Sequence, residues 1–573
     1  MKRFNVFNRE IANVYAAALT IGAAGLLSRL LGVVRDRMLA ARFGAGRELD
    51  IYYAAFQIPD FLFTLFLLGA ASAAVIPALI DEERRSPAEG RRFIRELATV
   101  FFIGSLAVWM TAVLAAPFLV RLLAPGFAPS DQALLAVLAR IMMVSPVLLG
   151  LSNIVSSVVQ THRRFFSFAL SSVFYNLGII LGILFFLPAW GMAGLAAGVV
   201  LGALLHLAVQ APALYSLGFG WPLVSPGFLR RGFSAPVKKV FALSVPRVVA
   251  LSAGGIADIA FIAIASAMGS GSIAVFKFAQ NLRFVPIGLF GVSFAVAAYP
   301  ALSGAGAREN APEFYSAFFG TLRSILFWIL PIASLFYVLR AQIVRVALGA
   351  GAFSWQDTRL TAAILGIMAF AIVAESLSSL LIRSFYALGN TVVPFFVNAV
   401  SAFGAVALAV VLAHAFENPG NPLFVFLVRI LRVDGVAGSG VLGLALGAAA
   451  GSVLDSALLF WGLKRVMRRR LGRLGIKKYA DLRDVPMMGV SAVCAGFAAY
   501  GMLRVANEFV TLDRFSGVLV QGAVSSLVGA MVYLGMLYLA KNREIAHLTD
   551  AVRRRLFSVR ILPQEWNGET SKS

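Results

Sequence analysis

The chain has 573 residues, 60% of them apolar and 13% charged, with a mean hydropathy of +0.85; soluble domains carry roughly 45–50% apolar and about 25% charged residues, so a soluble globular protein is excluded. The single Cys494 excludes an intrachain disulfide scaffold. In so apolar a chain the net charge of +23 points to the cytoplasmic loops of a membrane protein and away from a nucleic-acid binder.

Apolar stretches of spanning length follow one another at 14–34, 51–80, 97–123, 133–158, 164–187, 190–216, 240–268, 272–302, 315–339, 360–385, 391–415, 435–463, 485–505 and 516–540. Each carries few charges for its length, as a bilayer span requires. The expected fold is therefore an all-α polytopic membrane protein of about fourteen transmembrane helices. Met1 to Arg9 holds three basic residues, but the first apolar stretch is long and interrupted by Arg29, so it does not read as a cleavable signal. An even number of spans puts both termini on one side. With that side assigned to the cytoplasm, its connecting segments gather 31 of the 50 Lys and Arg residues, in keeping with the positive-inside rule. Arg468-Arg469-Arg470 and Arg553-Arg554-Arg555 are then solvated topogenic charge.

The chain also reads as a duplication. Gly44-Ala45-Gly46, Pro59 and Ala74-Val75-Ile76-Pro77-Ala78-Leu79 return as Gly269-Ser270-Gly271, Pro286 and Ala297-Ala298-Tyr299-Pro300-Ala301-Leu302. Six spans separate the copies, so the halves share one orientation, and transporters built this way bind substrate between the halves near the bilayer midplane. The expected organisation is a lobe at 1–216, a basic linker at 217–239 and a second six-helix lobe at 240–463. A basic cytoplasmic loop at 464–484, two further spans within 485–540 and a cytoplasmic tail at 541–573 complete it.

Ionisable residues inside spans are costly and serve by default as functional candidates. The first stretch ends Ser28-Arg29-Leu30-Leu31-Gly32-Val33-Val34-Arg35-Asp36-Arg37, with Asp50 following. Arg29 and Arg35 are six apart, about 120° off one helical face, and can line two walls of one vestibule. The eighth stretch carries Lys277 and Asn281, one turn apart, with Arg283 pointing elsewhere. Arg offers a planar fork for phosphate oxygens, so a phosphate-bearing or otherwise acidic amphiphile is the natural cargo. The plainer alternatives are that Arg29 snorkels to an interface and that Arg35 pairs with Asp36 or Asp50. A second polar set, Asp258, Glu375, Asn398 and Asp455, can bind a coupling cation, relay protons or simply join helices.

Other patterns are silent. Gly438-Ser439-Gly440-Val441-Leu442-Gly443 matches a dinucleotide fingerprint, but it follows a polar loop and leads into a span with Gly447 and Gly451, a spacing that serves close helix packing. His162, His206, His414 and His547 are isolated, so no metal site is expected, and no hydrolase elbow, Walker loop or kinase set is present.

Several segments resemble the lipid II flippase family (MurJ, formerly MviN) of the multidrug/oligosaccharidyl-lipid/polysaccharide exporter superfamily. They are Ser28 to Asp36 with Phe43-Gly44-Ala45-Gly46, Asp50 and Phe56-Gln57-Ile58-Pro59; Leu289-Phe290-Gly291-Val292-Ser293 running to Tyr299-Pro300-Ala301-Leu302-Ser303; and Gly351-Ala352-Phe353, Asp357-Thr358 and Arg383 to Thr391 with Pro394. The resemblance, over roughly residues 11–540, implies a transporter rather than an enzyme, in the bacterial inner membrane. It would carry the undecaprenyl-pyrophosphate-linked peptidoglycan precursor between leaflets by alternating access. It further implies a headgroup cavity formed by spans 1, 2, 7 and 8, a polyprenyl-tail groove formed by the last two spans, and functional positions at Arg29, Arg35, Asp36 and Asp50. No cofactor is implied; a membrane potential or a sodium or proton gradient would drive the cycle, and other cell-wall synthesis proteins are the expected partners. The chain departs from the family's cavity cations at Phe63, Thr64 and Asn281, and Lys277 or Arg283 could supply the missing charge. The alternatives are a flippase for another lipid-linked oligosaccharide, a small-molecule exporter, an intramembrane lipid-phosphate enzyme and a non-transporting cell-wall scaffold.

Overall fold

The structure, a computed structural model, describes residues 14–70, 72–220, 233–472, 482–510 and 514–546. Most of the basic linker, part of the basic loop at 464–484 and nearly all of the tail, with Arg553 to Arg555, lie outside the described residues. Among those described, every long element is a helix: α1 (Val14–Phe43), α2 (Arg47–Ala70), α3 (Ser72–Arg85), α4 (Pro87–Leu123), α5 (Pro129–Met142), α6 (Val144–Thr161), α7 (Phe165–Leu181), α8 (Leu187–Ala208), α9 (Ala211–Ser216), α10 (Ala235–Ser266), α11 (Ser272–Pro286), α12 (Ser293–Ala307), α13 (Ala311–Val338), α14 (Arg340–Leu348), α15 (Trp355–Ala387), α16 (Val392–Ala415), α17 (Pro422–Leu431), α18 (Leu442–Arg470), α19 (Asp484–Phe509) and α20 (Phe515–Leu539).

Among the described residues, ten continuous helical runs are long and apolar enough to cross a bilayer. One of them, Phe165–Ser216, crosses twice, because the chain reverses at Gly191, where φ is +59°. Its two arms close so tightly that a methyl group on Gly178 or Gly182 would collide with the backbone of Gly202 or Gly198. α1, α2 with α3, and α10 supply the remaining crossings. These are three of the four spans expected to line the cavity. Each of the fourteen sequence stretches thus corresponds to a helical crossing.

The eighth crossing is interrupted between α11 and α12 by a π-helical segment, Ile287–Val292. The Gly438 motif packs α18 against α16 so closely that a methyl group on Gly443 would come within 2.9 Å of Ala413 N and one on Gly447 within 2.7 Å of Ala409 Cβ. It is a helix seam, as its spacing predicts.

Burial shows how the halves meet. At the end holding Gly44 and Gly271, one apolar core runs across both halves, from Leu39, Leu49 and Ile51 through Leu135, Ile273 and Phe276 to Leu365 and Leu442. At the opposite end the core divides. Phe66, Leu79, Phe93, Ile154 and Leu214 form one cluster, mainly of the first half, which Val237 and Val240 of α10 join. Ile287, Leu302, Phe314, Phe385 and Leu459 form another in the second. Apolar side chains exclude water where they interdigitate, so one shared core seals the bundle at the Gly44 end, while the other end, parted between α1 and α11, keeps a cleft.

Candidate functional site: a cationic cavity between the halves

Inside the parted end lies a cavity of about 250 Å³, walled by Ser28, Arg29, Arg35 and Asp36 of α1, Asn176 of α7, and Asn281 and Phe284 of α11. Arg35 is held from two sides. Its Nε and Nη2 donate to Asp36 Oδ1 at 3.0 and 2.8 Å, and its Nη1 donates to Asn176 Oδ1 at 3.2 Å. Asn176 is itself fixed, donating through Nδ2 to the Ser28 carbonyl at 3.2 Å and to Ser28 Oγ at 3.0 Å. The other Asp36 oxygen accepts from Asn281 Nδ2 at 2.9 Å, which ties α1 to α11. Asp36 is buried, and this full complement of donors is what allows a carboxylate to stay there.

Arg29 is different. It is exposed to the cavity, and among the described residues no hydrogen bond or ion pair engages its guanidinium. Its head rests on the π-helical segment, where any side chain at Gly288 would occupy its place. The six-residue offset therefore does what the helical wheel predicts: Arg35 is pinned to the wall, and Arg29 reaches across to the eighth span with its donors unspent.

The remaining candidates separate. Lys277 lies near Asp60 of α2, whose carboxyl also feels the charges of Asp258 of α10 and of Arg35. It does not line the cavity with Arg29. Arg283 is turned away: its Nη2 pairs with Glu375 Oε1 at 3.1 Å in a buried contact between α11 and α15, so it is not free to replace a cavity cation. Asp50 is also corrected. Its carboxylate accepts from Gly271 N at 2.7 Å and Ala274 N at 2.8 Å, capping α11 at the sealed end with 1% of its surface exposed. It holds the halves together and does not reach the cavity. Asp36 positions Arg35 and has no oxygen left over for cargo.

In the second polar set, Asp455 Oδ2 accepts from Ser378 Oγ at 2.8 Å, and the Asn398 amide donates to Asp455 Oδ1 at 2.7 Å. Glu375 accepts from Ser452 Oγ at 2.7 Å beside its pair with Arg283. Asp258 belongs to the Asp60 group instead. Asn176 and Asp60 escaped the sequence reading, although each is a lone polar residue in an otherwise apolar stretch, the same signal that singled out Asp455.

A second, larger cavity of about 1250 Å³ runs beside the second half, walled mainly by apolar residues of α13, α15 and α19. The penultimate span lines it. The last span, α20, packs behind, where Gln342 Nε2 donates to Gln521 Oε1 at 3.1 Å.

A bundle of helical crossings sealed at one end, with buried charge facing a cleft at the other, defines a membrane transporter and not an enzyme. The family model for the lipid II flippase MurJ matches residues 39–519, and the chain belongs to that family. A probable lipid II flippase MurJ of Rhizobium tropici is 29% identical over 560 residues, covering 94% of this chain and 96% of its own. The lipid II flippase MurJ of Burkholderia cenocepacia is 27% identical over 458 residues, covering 79% and 84%. A solved lipid II flippase MurJ in an inward closed conformation has the same fold, with a TM-score of 0.68 at 22% identity over 94% of this chain and 99% of that one. An inward-facing multidrug-resistance MATE transporter follows at a TM-score of 0.60 and 16% identity, covering 79% and 96%.

Proposed function

We propose that the chain moves lipid II from the cytoplasmic to the outer leaflet of the bacterial inner membrane, with both termini in the cytoplasm. One observation carries this reading: the unspent Arg29 guanidinium faces a cavity that is parted toward the termini. A pyrophosphate cannot enter hydrocarbon without partners, and Arg29 beside the fixed Arg35 offers them. At about 250 Å³ the cavity is smaller than the roughly 300–1,000 Å³ of typical ligand sites, so it admits the phosphates while sugars and peptide stay toward the opening. The polyprenyl tail lies in the apolar groove between α13, α15 and α19. Resealing the parted end and opening the Gly44 end would deliver the head to the other leaflet.

The test is retention of three lipids by the purified chain in native mass spectrometry: lipid II, a polyprenyl-linked glycan of unrelated sugars, and phosphatidylglycerol. Preferential retention of lipid II, falling at least tenfold in Arg29→Ala, is expected. Equal retention of all three, indifferent to the substitution, would remove the reading. A preference for the unrelated glycan would make the chain a flippase for another cargo.

We further propose that energy coupling acts at Asp455, Asn398 and Ser378, next to Glu375. A carboxylate at membrane depth that already recruits two neutral donors is suited to exchange a proton or a cation. In vesicles, Asp455→Asn is expected to abolish the response of transport to a sodium or proton gradient while a basal rate persists. If wild-type transport ignores both gradients, Asp455 is a helix tie and the membrane potential is left as the drive.

A further inference from the structure

The apolar groove ends, on the side where the bundle is sealed, in a ring of arginines that the transport reading does not use. Arg340, Arg359 and Arg432 line its mouth together with Tyr500 and Trp355. Arg432 Nη2 and Arg504 Nη2 both donate to Tyr500 Oη, at 3.4 and 3.0 Å, so two guanidiniums share one neutral hydroxyl. Arg340 donates from Nη1 to the Tyr337 carbonyl at 2.7 Å, its guanidinium near that ring and the charge of Arg432. Arg359 donates only to backbone carbonyls of Arg432 and Asp434. Among the described residues, no carboxylate pairs with any of the four arginines.

The ring also sits at a definite depth. α17 is ten residues long, too short to span, and ends at the mouth. It buries Val428 and Leu431 while exposing Leu423, Phe426 and Ile430, the pattern of a helix lying in a membrane interface. Trp355 and Tyr500 are exposed at the same level, as aromatic residues at the headgroup layer are. Cations thus stand where lipid phosphates stand, at the end of a channel that accepts a hydrocarbon tail.

We propose that this mouth is a second binding site, for the pyrophosphate head of a polyprenyl lipid whose tail occupies the groove. It would receive the lipid after the head has left the central cavity, and this role as an exit site rests on the flippase reading. The choice of pyrophosphate follows from charge: several unpaired guanidiniums around one small opening suit a multiply charged head better than the single charge of a phosphodiester, and planar forks favour phosphate oxygens.

Binding is measured by native mass spectrometry of the full chain with undecaprenyl pyrophosphate, undecaprenol and phosphatidylglycerol. In an Arg29→Gln background, which weakens the central cavity, adding Arg340→Gln and Arg432→Gln is expected to lower undecaprenyl pyrophosphate affinity at least tenfold. Undecaprenol and phosphatidylglycerol should change less than twofold. No change in pyrophosphate binding would overturn the proposal, and so would a parallel loss of phosphatidylglycerol, which would make the mouth a phospholipid site. If the multiple variant does not fold, Arg432→Gln alone, at an exposed position, should still cost about threefold, and no loss there is equally fatal. Lipid II translocation by the same proteins separates the two readings. Pyrophosphate binding at the mouth without translocation by the wild type would sink the flippase reading alone, and translocation without that binding would sink the exit site alone.

Discussion

Replacing Arg35 by alanine is expected to destabilise the fold by about 3–5 kcal/mol, the cost of stranding one partner of a buried ion pair. Arg29→Ala should instead leave stability within about 0.5 kcal/mol, as substitutions away from packed or paired groups do. The two residues have the same side chain on the same helix, but Asp36 is only 5% exposed and loses its main partner in the first case. Asn281 would then be left as its one remaining side-chain donor. Nothing is stranded by loss of Arg29, whose donors face the cavity. Both substitutions should abolish transport, one by loosening the wall and the other by removing the cation that meets the cargo; a hydrogen bond to a charged group contributes about 1.5–3 kcal/mol, which is about 10- to 150-fold in affinity. Denaturant or thermal unfolding of the two variants beside Arg35→Ala/Asp36→Asn is the check. The double variant should recover at least about 1 kcal/mol relative to additivity, since the residues touch. Equal stability losses in Arg29→Ala and Arg35→Ala would contradict this division of roles.

That division was only half legible in the sequence. Spacing alone puts Arg29 and Arg35 on different walls, and the run of apolar stretches gives the crossings, because both depend on local periodicity. The pair of Arg35 with Asp36 is among the sequence's plainer alternatives, but its second tie is Asn176, 141 positions away, which accepts from Arg35 directly and is itself anchored on Ser28. No local pattern reports such a partner. Asp50 misleads for a related reason. A carboxylate near a membrane end looks like a ligand until the α11 backbone amides, 221 and 224 positions later, are seen to occupy it. Arg283 misleads likewise, since Glu375 lies on another helix and its approach is set by packing of α11 against α15. Phe63, Thr64 and Asn281 read in the sequence as places of missing charge, with Lys277 or Arg283 as substitutes. In the structure Asn281 donates to Asp36, Arg283 pairs with Glu375, and Lys277 lies near Asp60.

Removing the Asp50 carboxylate is expected to open the sealed end. That end is held by contacts that cross from one half to the other. Asp50 takes Gly271 N and Ala274 N; Ala352 N donates to Ala41 O at 2.8 Å; and Arg37 Nη1 donates to Val346 O at 2.6 Å. Asp357, which caps its own helix, also lies 3.4 Å from Ala45 N. Gly271 is required twice over, by its φ of +88° and because any side chain there would strike the Ala45 carbonyl. In Asp50→Ala two buried amides lose their acceptor, at about 1–3 kcal/mol each. Because the bonds join the halves, the sealed state alone bears that loss, and an equilibrium biased by even about 3 kcal/mol moves more than a hundredfold. Asp50→Asn keeps one acceptor oxygen and should move it less. Spin labels at Ser130 and Gln356, exposed positions on the two halves, in a chain with Cys494→Ala, would report the separation across this end. A new long-distance population is expected in Asp50→Ala, a smaller one in Asp50→Asn, and one at least as large in Gly271→Ala. If Asp50→Ala leaves the distance distribution at its wild-type form, the amide cap is dispensable, and the shared apolar core running from Leu39 to Leu442 holds the seal by itself.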